Sequence, residues 1–240
     1  MGSKILKISL VLSLFMLPSP ISAQTTSTFY NELDSFYKTY VSSGKVDYKA
    51  LLQNRTSLNS MVELTEKVRV SENDRLDYQA FWINAYNVHT IKAIVDVYPI
   101  ASPLDKAGFF DKATHNIAGK KITLNDIENT LLRAKFNDAR VHFVLVCGAM
   151  GCPPLITSAY RPELLETQLT QQTKLAINNK EFTRTGNNTV ELSQIFEWYK
   201  SDFEQNGASV IDFLNAYLTT PLTEKTKIKF YSYNWKLNSK

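Results

Sequence analysis

The residues best suited to chemistry lie together near the middle of the chain. Both cysteines and one of only three histidines fall within eleven residues, at His142, Cys147 and Cys152. An apolar run precedes them and a turn rich in glycine and proline follows. Because a rigid strand that ends in an accessible loop can present reactive groups, we predict a strand over 141–147 that leads into a functional loop.

These residue types are compatible with a thiol-dependent enzyme. A Cys147 thiolate would attack a carbonyl carbon, His142 would act as the base, and Glu128 would orient the imidazole ring. The resulting hypothesis is an exported hydrolase or acyltransferase-like enzyme. Its weakness is geometric, because residues five apart on a straight strand point to opposite faces and stand roughly 16 Å apart. A direct pair between Cys147 and His142 therefore needs a bulge or a turn.

The competing interpretation is a disulfide between the two cysteines, which is common in exported proteins. Gly148 and Gly151 permit the tight turn that a bridge requires. In the chain-entropy model so short a loop would stabilise the fold by only about 2 kcal/mol. An oxidised Cys147 cannot attack a substrate, so a bridge favours a non-catalytic module that binds a ligand or a partner. Redox chemistry is a third interpretation, although the spacing departs from Cys-x-x-Cys.

Two asparagines on a predicted helix form the second group of candidate site residues. Asn84 and Asn87 lie three residues apart and therefore share a helical face that is otherwise apolar. A buried carboxamide without partners costs about 1–3 kcal/mol, so both amides must be bonded. They either tether a neighbouring loop or form the polar wall of a pocket. Under the enzyme hypothesis, Asn84, Asn87 and Cys152 contact the substrate.

Aromatic residues are dense in the last fifth of the chain. We expect Trp198, Phe203 and Trp235 to pack in the core, and an aromatic groove for a sugar or a peptide is the alternative. The expected ligand is accordingly a small molecule or a peptide.

Several kinds of site have no signature in this sequence. The histidines and cysteines do not follow a known zinc spacing, and there is no glycine-rich phosphate loop. We therefore predict neither a metal nor a cofactor.

The N-terminus predicts export. Residues 1–23 combine two lysines, an apolar stretch and a small-x-small ending, as in a cleaved signal peptide. Cleavage would leave residues 24–240 as a periplasmic or secreted chain without a membrane-spanning segment. It would also remove Lys4 and Lys7 and no acid, so the formal charge would fall from +4 to +2. So small a charge argues against a nucleic-acid partner.

Hydrophobic periodicity predicts an α+β fold: a helix-rich single domain packed on a small, mostly antiparallel sheet. Helices are expected at 27–40, 50–68 and up to residue 98, and again after residues 123, 162, 193 and 208. Hairpins are expected at 114–122 and 182–192, and a last strand at 227–233.

Five sequence motifs of this chain resemble those of the bacterial family known as domain of unknown function 547. They are AFWINAYN (80–87), GxxxxLxDIE…LR (119–133), RxHF…CG…CP (140–153), FxWY…DF (196–203) and YNWxLN (233–238). The resemblance implies the fold of that family but assigns no activity. Plant relatives are similar over this domain but replace the residues that match His142 and Cys152. Chemistry that needs both residues is therefore not implied for the whole family, whereas a role for Cys147 remains open.

Overall fold

The computed structural model describes residues 20–180, 182–186 and 188–240. Most of the predicted signal peptide, residues 1–19, lies outside these described residues. Helix α1 spans Pro20–Tyr40, so it begins earlier than the predicted start at residue 27. Its aromatic and leucine side chains at three- and four-residue steps are buried, as the periodicity predicts.

Nine further α-helices follow in the described part of the chain: α2 (Tyr48–Gln53), α3 (Arg55–Lys67), α4 (Arg75–Val97), α5 (Leu124–Asp126), α6 (Ala134–Phe136), α7 (Leu165–Ile177), α8 (Ile195–Trp198), α9 (Lys200–Phe203) and α10 (Val210–Asn215). A π-helix at Ile127–Arg133 joins α5 to α6. Short 3-10 turns occupy Pro103–Asp105, Ala139–Phe143, Pro162–Leu164 and Gln205–Gly207.

The strands form three small sheets among the described residues. They are β1 (Val41–Ser42), β2 (Lys45–Val46), β3 (Thr114–Ile117), β4 (Lys120–Thr123), β5 (Thr183–Gly186), β6 (Thr189–Ser193) and β7 (Lys227–Tyr231). The pairs β1–β2, β3–β4 and β5–β6 are antiparallel, whereas β7 runs parallel to β6. The predicted helix-rich α+β class with mostly antiparallel sheets is confirmed.

Local sequence explains the β3–β4 hairpin and the helix start that follows it. Ala118 and Gly119 both have positive φ, as a two-residue hairpin turn demands. Thr123 then accepts a hydrogen bond from the Asp126 N–H at 3.0 Å, and the Asp126 carboxylate accepts one from the Thr123 N–H at 3.2 Å. This reciprocal capping box begins α5 at the predicted place.

The predicted strand over 141–147 is wrong. Residues Ala139–Phe143 form a 3-10 turn, and the chain then continues irregularly to Cys147. No strand of the described residues pairs with this segment, and the Asn87 side chain supplies the bonds that a neighbouring strand would give. Its Nδ2 donates to the Val144 carbonyl at 2.9 Å, and its Oδ1 accepts from the Val146 N–H at 2.8 Å.

Helix α4 is the central element of the fold. From Tyr78 to Ile91 every side chain is buried, so the helix is covered on all sides. Asn84 bonds a second irregular segment, because its Nδ2 donates to the Tyr160 carbonyl at 2.7 Å and its Oδ1 accepts from the Tyr160 N–H at 3.0 Å. The two asparagines thus fix two loops against one helix.

Two hydrophobic clusters meet at the segment that Asn87 holds. The first gathers α1 to α4 with Val144, Leu145 and Val146. The second gathers the end of α7, β6 and α8 to α10 around Phe143 and Phe196. Consecutive residues of the segment therefore belong to different clusters, which places residues 139–147 at their junction.

The C-terminal segment completes this junction. Met150 and Gly151 donate to the carbonyls of Lys236 and Asn234 at 2.7 and 2.8 Å, and Asn238 donates to the Gly148 carbonyl at 2.9 Å. A Cβ atom on Gly151 would lie 2.9 Å from the Tyr233 ring, so only glycine allows that ring to approach. The pairing brings Tyr233 and Trp235 next to the two cysteines.

Among the described residues, no helix combines the length and the apolar character that crossing a membrane requires.

The asparagine tethers yield the first prediction. We expect Asn87→Ala to lower the free energy of unfolding by about 2–4 kcal/mol, because a buried carbonyl and a buried N–H lose their partner. Asn87→Asp should not restore stability, since a carboxylate cannot donate to the Val144 carbonyl. Urea unfolding followed by tryptophan fluorescence measures both effects.

The matched control is Asn73→Ala, which removes an exposed loop carboxamide. It should change the free energy of unfolding by less than about 0.5 kcal/mol. Equal stability of Asn73→Ala and Asn87→Ala would show that the Asn87 bonds do not hold the segment.

Candidate functional site

A pocket of about 210 Å³ opens where the two hydrophobic clusters meet. Three of the predicted catalytic residues line it: Glu128, His142 and Cys147. Its other lining residues are mostly aromatic, with two aliphatic side chains and one amide: Tyr86, Phe110, Asn125, Leu145, Ile195, Trp198, Tyr199, Tyr233 and Trp235. The structure therefore brings the imidazole, one sulfur and one carboxylate to a common, open hollow.

The two asparagines are not part of this hollow. The Asn84 side chain is fully buried and that of Asn87 is 1% exposed, and the backbone bonds described above occupy both carboxamides. Of the two interpretations for this pair, the structure supports the loop tether. Asn87 still affects the pocket indirectly, because it positions the backbone between His142 and Cys147.

The cysteines are joined. Cys147 and Cys152 form a disulfide, and no free cysteine is present among the described residues. The Cys147 N–H donates to the Cys152 sulfur at 3.1 Å, and the Tyr233 hydroxyl lies 3.2 Å from each sulfur. In this state Cys147 has no thiol and cannot act as a nucleophile, and Cys152 does not line the pocket.

His142 is held by a carboxylate that the sequence analysis did not single out. Its Nε2 lies 2.7 Å from Asp202 Oδ2. Arg133 donates to the same carboxylate from Nε at 2.6 Å and from Nη2 at 2.9 Å. The orienting position proposed for Glu128 is thus occupied by Asp202. Sixty residues separate Asp202 from His142, so only its place in the FxWY…DF word marked it in the sequence.

Electrostatics keeps the Asp202 carboxylate ionised. Burial raises the pKa of Asp202, but hydrogen bonds from His142 and Arg133 outweigh burial and hold that pKa well below its usual range. Asp202 is therefore an ionised acceptor, and the His142 Nε2 must carry a proton to donate to it. In the neutral ring, Nδ1 then remains an acceptor.

Tyr199 fixes the plane of the imidazole. The His142 and Tyr199 rings are stacked with centroids 4.0 Å apart and an interplanar angle of 29°. The Arg133 guanidinium carbon lies 4.6 Å from the centroid of the same tyrosine ring, within cation–π range. His142, Tyr199, Asp202 and Arg133 therefore form one rigid polar cluster, named here the histidine cluster.

The π-helix delivers two residues to the site. It places Glu128 in the pocket and Arg133, five residues later, in the histidine cluster. Its widened turn is visible in the bond from the Ala134 N–H to the Asn129 carbonyl, also five residues apart. Such π-helical turns occur often at functional sites, because they re-aim side chains within a helix.

Glu128 lies among phenols. The Tyr86 hydroxyl donates to its Oε2 at 3.4 Å. Burial first, and the Glu128 charge second, raise the pKa of both Tyr86 and Tyr199 above the usual range. These phenols therefore stay neutral, and Glu128 is the charged group on this side of the pocket.

Three aromatic rings of the lining contact one another and are named here the aromatic corner. Tyr233 and Trp235 have centroids 4.8 Å apart, and Trp198 lies 5.2 Å from Tyr233 and 6.0 Å from Trp235. Trp198 is 46% exposed, which is unusual for so large an apolar side chain. The expected core position is therefore wrong for Trp198, whereas Phe203 is buried as expected.

The remaining histidines lie elsewhere. His89 and His115 line a separate cavity of about 330 Å³ beside α4 and β3. Burial lowers the pKa of His89 to about 3, so this ring is neutral at physiological pH. In the described part of the chain, no group of three or more histidine, cysteine, aspartate or glutamate side chains could hold a metal ion.

Comparison with known proteins supports the family resemblance. Residues 70–175 match the family model described as "Protein of unknown function, DUF547", so this part of the chain is similar to that family. No curated protein and no solved structure matches the chain. The matched range contains Glu128, His142 and both cysteines, whereas Asp202 and the aromatic corner lie beyond it.

The histidine cluster yields the second prediction. Because the pKa of Asp202 is lower in the folded than in the unfolded chain, its stabilising contribution is complete above about pH 4 and is lost as the pH falls below that value. We expect Asp202→Asn to be less stable than the wild type at neutral pH and to lose less stability on acidification. Urea unfolding at several pH values between about 7 and 2.5 measures the difference.

The control for this experiment is Asp111→Asn, at an exposed loop position. It should retain the pH profile of the wild type. Parallel profiles for Asp202→Asn and the wild type would show that the histidine cluster makes no net contribution to folding.

Proposed function

We propose that the protein is an exported ligand-binding module that holds a small molecule or a peptide side chain in the pocket between Glu128 and the aromatic corner. One observation carries the proposal. Cys147, the one candidate nucleophile at this pocket, is already engaged, because its sulfur is bonded to Cys152 and His142 is left without a thiol to activate. The groups left for a ligand are aromatic faces, hydroxyls, the Asn125 amide, the free nitrogen of His142 and one carboxylate.

The architecture supports binding more than turnover. Aromatic side chains with a few placed polar groups are typical of ligand pockets, and the partly exposed Trp198 leaves this pocket open. The disulfide closes the turn at 148–151, against which Tyr233 packs. Such a bridge agrees with an oxidising compartment outside the cytoplasm. We assign the protein to the periplasm or the secreted fraction on that basis, together with the signal-like residues 1–23.

A binding screen tests the proposal. We expect at least one of three small probes (3,3-dimethylbutan-1-ol, methyl β-D-glucopyranoside and phenylacetamide) to shift the indole NMR signals of Trp198 and Trp235. The Trp235→Ala variant should lose this binding by about tenfold or more, because an aromatic wall is removed. Leu175→Ala, at a side chain that is 65% exposed, is the matched control and should bind like the wild type.

Two results would contradict the binding proposal. One is the absence of any shift with all three probes and also with a positively charged probe, choline. The other is equal probe affinity in the wild type and in Trp235→Ala, which would locate binding outside the pocket.

A second candidate function is a thiol hydrolase that works only after the disulfide is reduced by a dithiol. The observation in its favour is that Cys147 and His142 line the same pocket and that Asp202 orients His142. In such a reaction the Cys147 sulfur would add to an ester carbonyl carbon, and His142 would take the thiol proton and return it to the departing alcohol. Water would then hydrolyse the thioester and release the acid.

Substitutions at the two cysteines separate these functions. If the hydrolase hypothesis holds, the reduced protein cleaves p-nitrophenyl acetate, Cys147→Ala abolishes the cleavage, and Cys152→Ala retains it. Equal rates in both variants would exclude the hypothesis. The binding module instead predicts no cleavage by the reduced protein, and probe binding that persists without a reductant.

A further inference from the structure

We propose that the pocket selects a small organic cation, of the quaternary ammonium or alkylammonium class, held between the Glu128 carboxylate and the aromatic corner. This inference rests on the proposed function, because it names the ligand class of the same site. Three features of the described residues support it: the negative charge of the lining, the absence of an ion pair at Glu128, and the aromatic surface that lines the rest of the pocket.

The lining carries one formal charge, and it is negative. Glu128 is its only carboxylate, and neither lysine nor arginine lines the pocket. His142 contributes little, since its Nε2 proton is directed to Asp202 and the Asp202 charge is balanced by Arg133. Glu128 is therefore the one formal charge on the lining, and it favours a positive ligand.

Glu128 forms no ion pair. Within the described ranges, none of the ion pairs at 4.0 Å or less involves this residue. The Glu128 charge helps to raise the pKa of Arg133, but the Arg133 guanidinium is hydrogen-bonded to Asp202 and Asn129. The half-buried Glu128 carboxylate is bonded by the phenols of Tyr86 and Tyr199, and a bound cation would add the charged partner in contact that it lacks.

The aromatic corner suits the same ligand. Aromatic faces attract cations through the ring quadrupole, and tryptophan does so most strongly. The aromatic corner offers two tryptophans and a tyrosine, inclined to each other by 52° for Trp198 and Tyr233 and by 56° for Tyr233 and Trp235. Inclined rings that meet at a corner can surround a rounded group such as trimethylammonium, which has no hydrogen-bond donors to satisfy.

The cavity lined by His89 and His115 differs from the aromatic pocket in its charges. It is lined by two acids and two lysines, Glu66, Asp96, Lys92 and Lys106, and Lys92 Nζ lies 2.5 Å from Asp96 Oδ2. Its charges compensate within the protein. Only the aromatic pocket combines an unpaired carboxylate with tryptophan faces among the described cavities.

A pair of isosteric probes tests the inference. Choline and 3,3-dimethylbutan-1-ol have the same shape and hydroxyl, but only choline is charged. Titration calorimetry should show choline binding at least about tenfold more tightly than the alcohol to the oxidised, mature protein. In Glu128→Gln, which keeps the side-chain shape, this preference should fall below about threefold.

Glu197→Gln is the matched control. Glu197 is an exposed acid that precedes Trp198 and does not line the pocket, so the tenfold preference should persist in this variant. If Glu197→Gln and Glu128→Gln reduce the preference equally, general surface charge explains it and the inference is wrong.

The two probes also separate the inference from the proposed function. If both probes bind with equal affinity and both lose affinity in Trp235→Leu, the pocket binds ligands but does not select cations. If methyl β-D-glucopyranoside binds at the pocket and choline does not, a sugar site replaces the cation site. If no probe shifts the indole NMR signals of Trp198 or Trp235, both the proposed function and the inference are wrong.

Discussion

The Asn87 carboxamide is the interaction on which the rest of the structure depends. It reaches from the buried helix α4 and bonds both sides of an irregular segment, at the Val144 carbonyl and the Val146 N–H. These bonds replace a strand neighbour and let apolar residues sit in the core without a sheet. Because the tethered residues lie between His142 and Cys147, one helix side chain sets where both of these groups meet the pocket.

Three chain segments that are distant in sequence must converge before the pocket exists. The π-helix contributes Glu128, the tethered segment contributes His142 and Cys147, and the residues from Ile195 to Trp235 contribute the aromatic wall and Asp202. The disulfide and the C-terminal pairing with Gly148 and Gly151 hold the last of these in place. Such a pocket is rigid on the polar side and partly exposed at Trp198, which suits binding more than covalent chemistry.

Local signals in the sequence predicted the elements that local forces decide. The hairpin at 114–122, the helix that begins after residue 123 and the amphipathic α1 all follow from short-range rules, and the structure contains each of them. The apolar run at 141–147 predicts a strand because buried strands are apolar. The segment is mostly buried, but it is not a strand. What the pattern could not convey is that a side-chain amide from α4 provides its hydrogen bonds.

The site was partly predictable for the same reason. Scarce residue types pointed to His142, Cys147 and Glu128, and all three line one pocket. The partner of His142 was not predictable, because no spacing rule links a histidine to an aspartate sixty residues away. Trp198 was assigned to the core because large apolar side chains are usually buried, and its exposure appears only once the neighbouring rings are placed.

A crystal structure of the mature protein grown with choline would separate a cation-binding pocket from a thiol site. We expect a closed Cys147–Cys152 bridge and a trimethylammonium group that contacts Trp198, Tyr233 and Trp235, with the Glu128 carboxylate as its nearest charge. An empty pocket with the choline bound elsewhere, or a ligand attached to a free Cys147 sulfur, would contradict it.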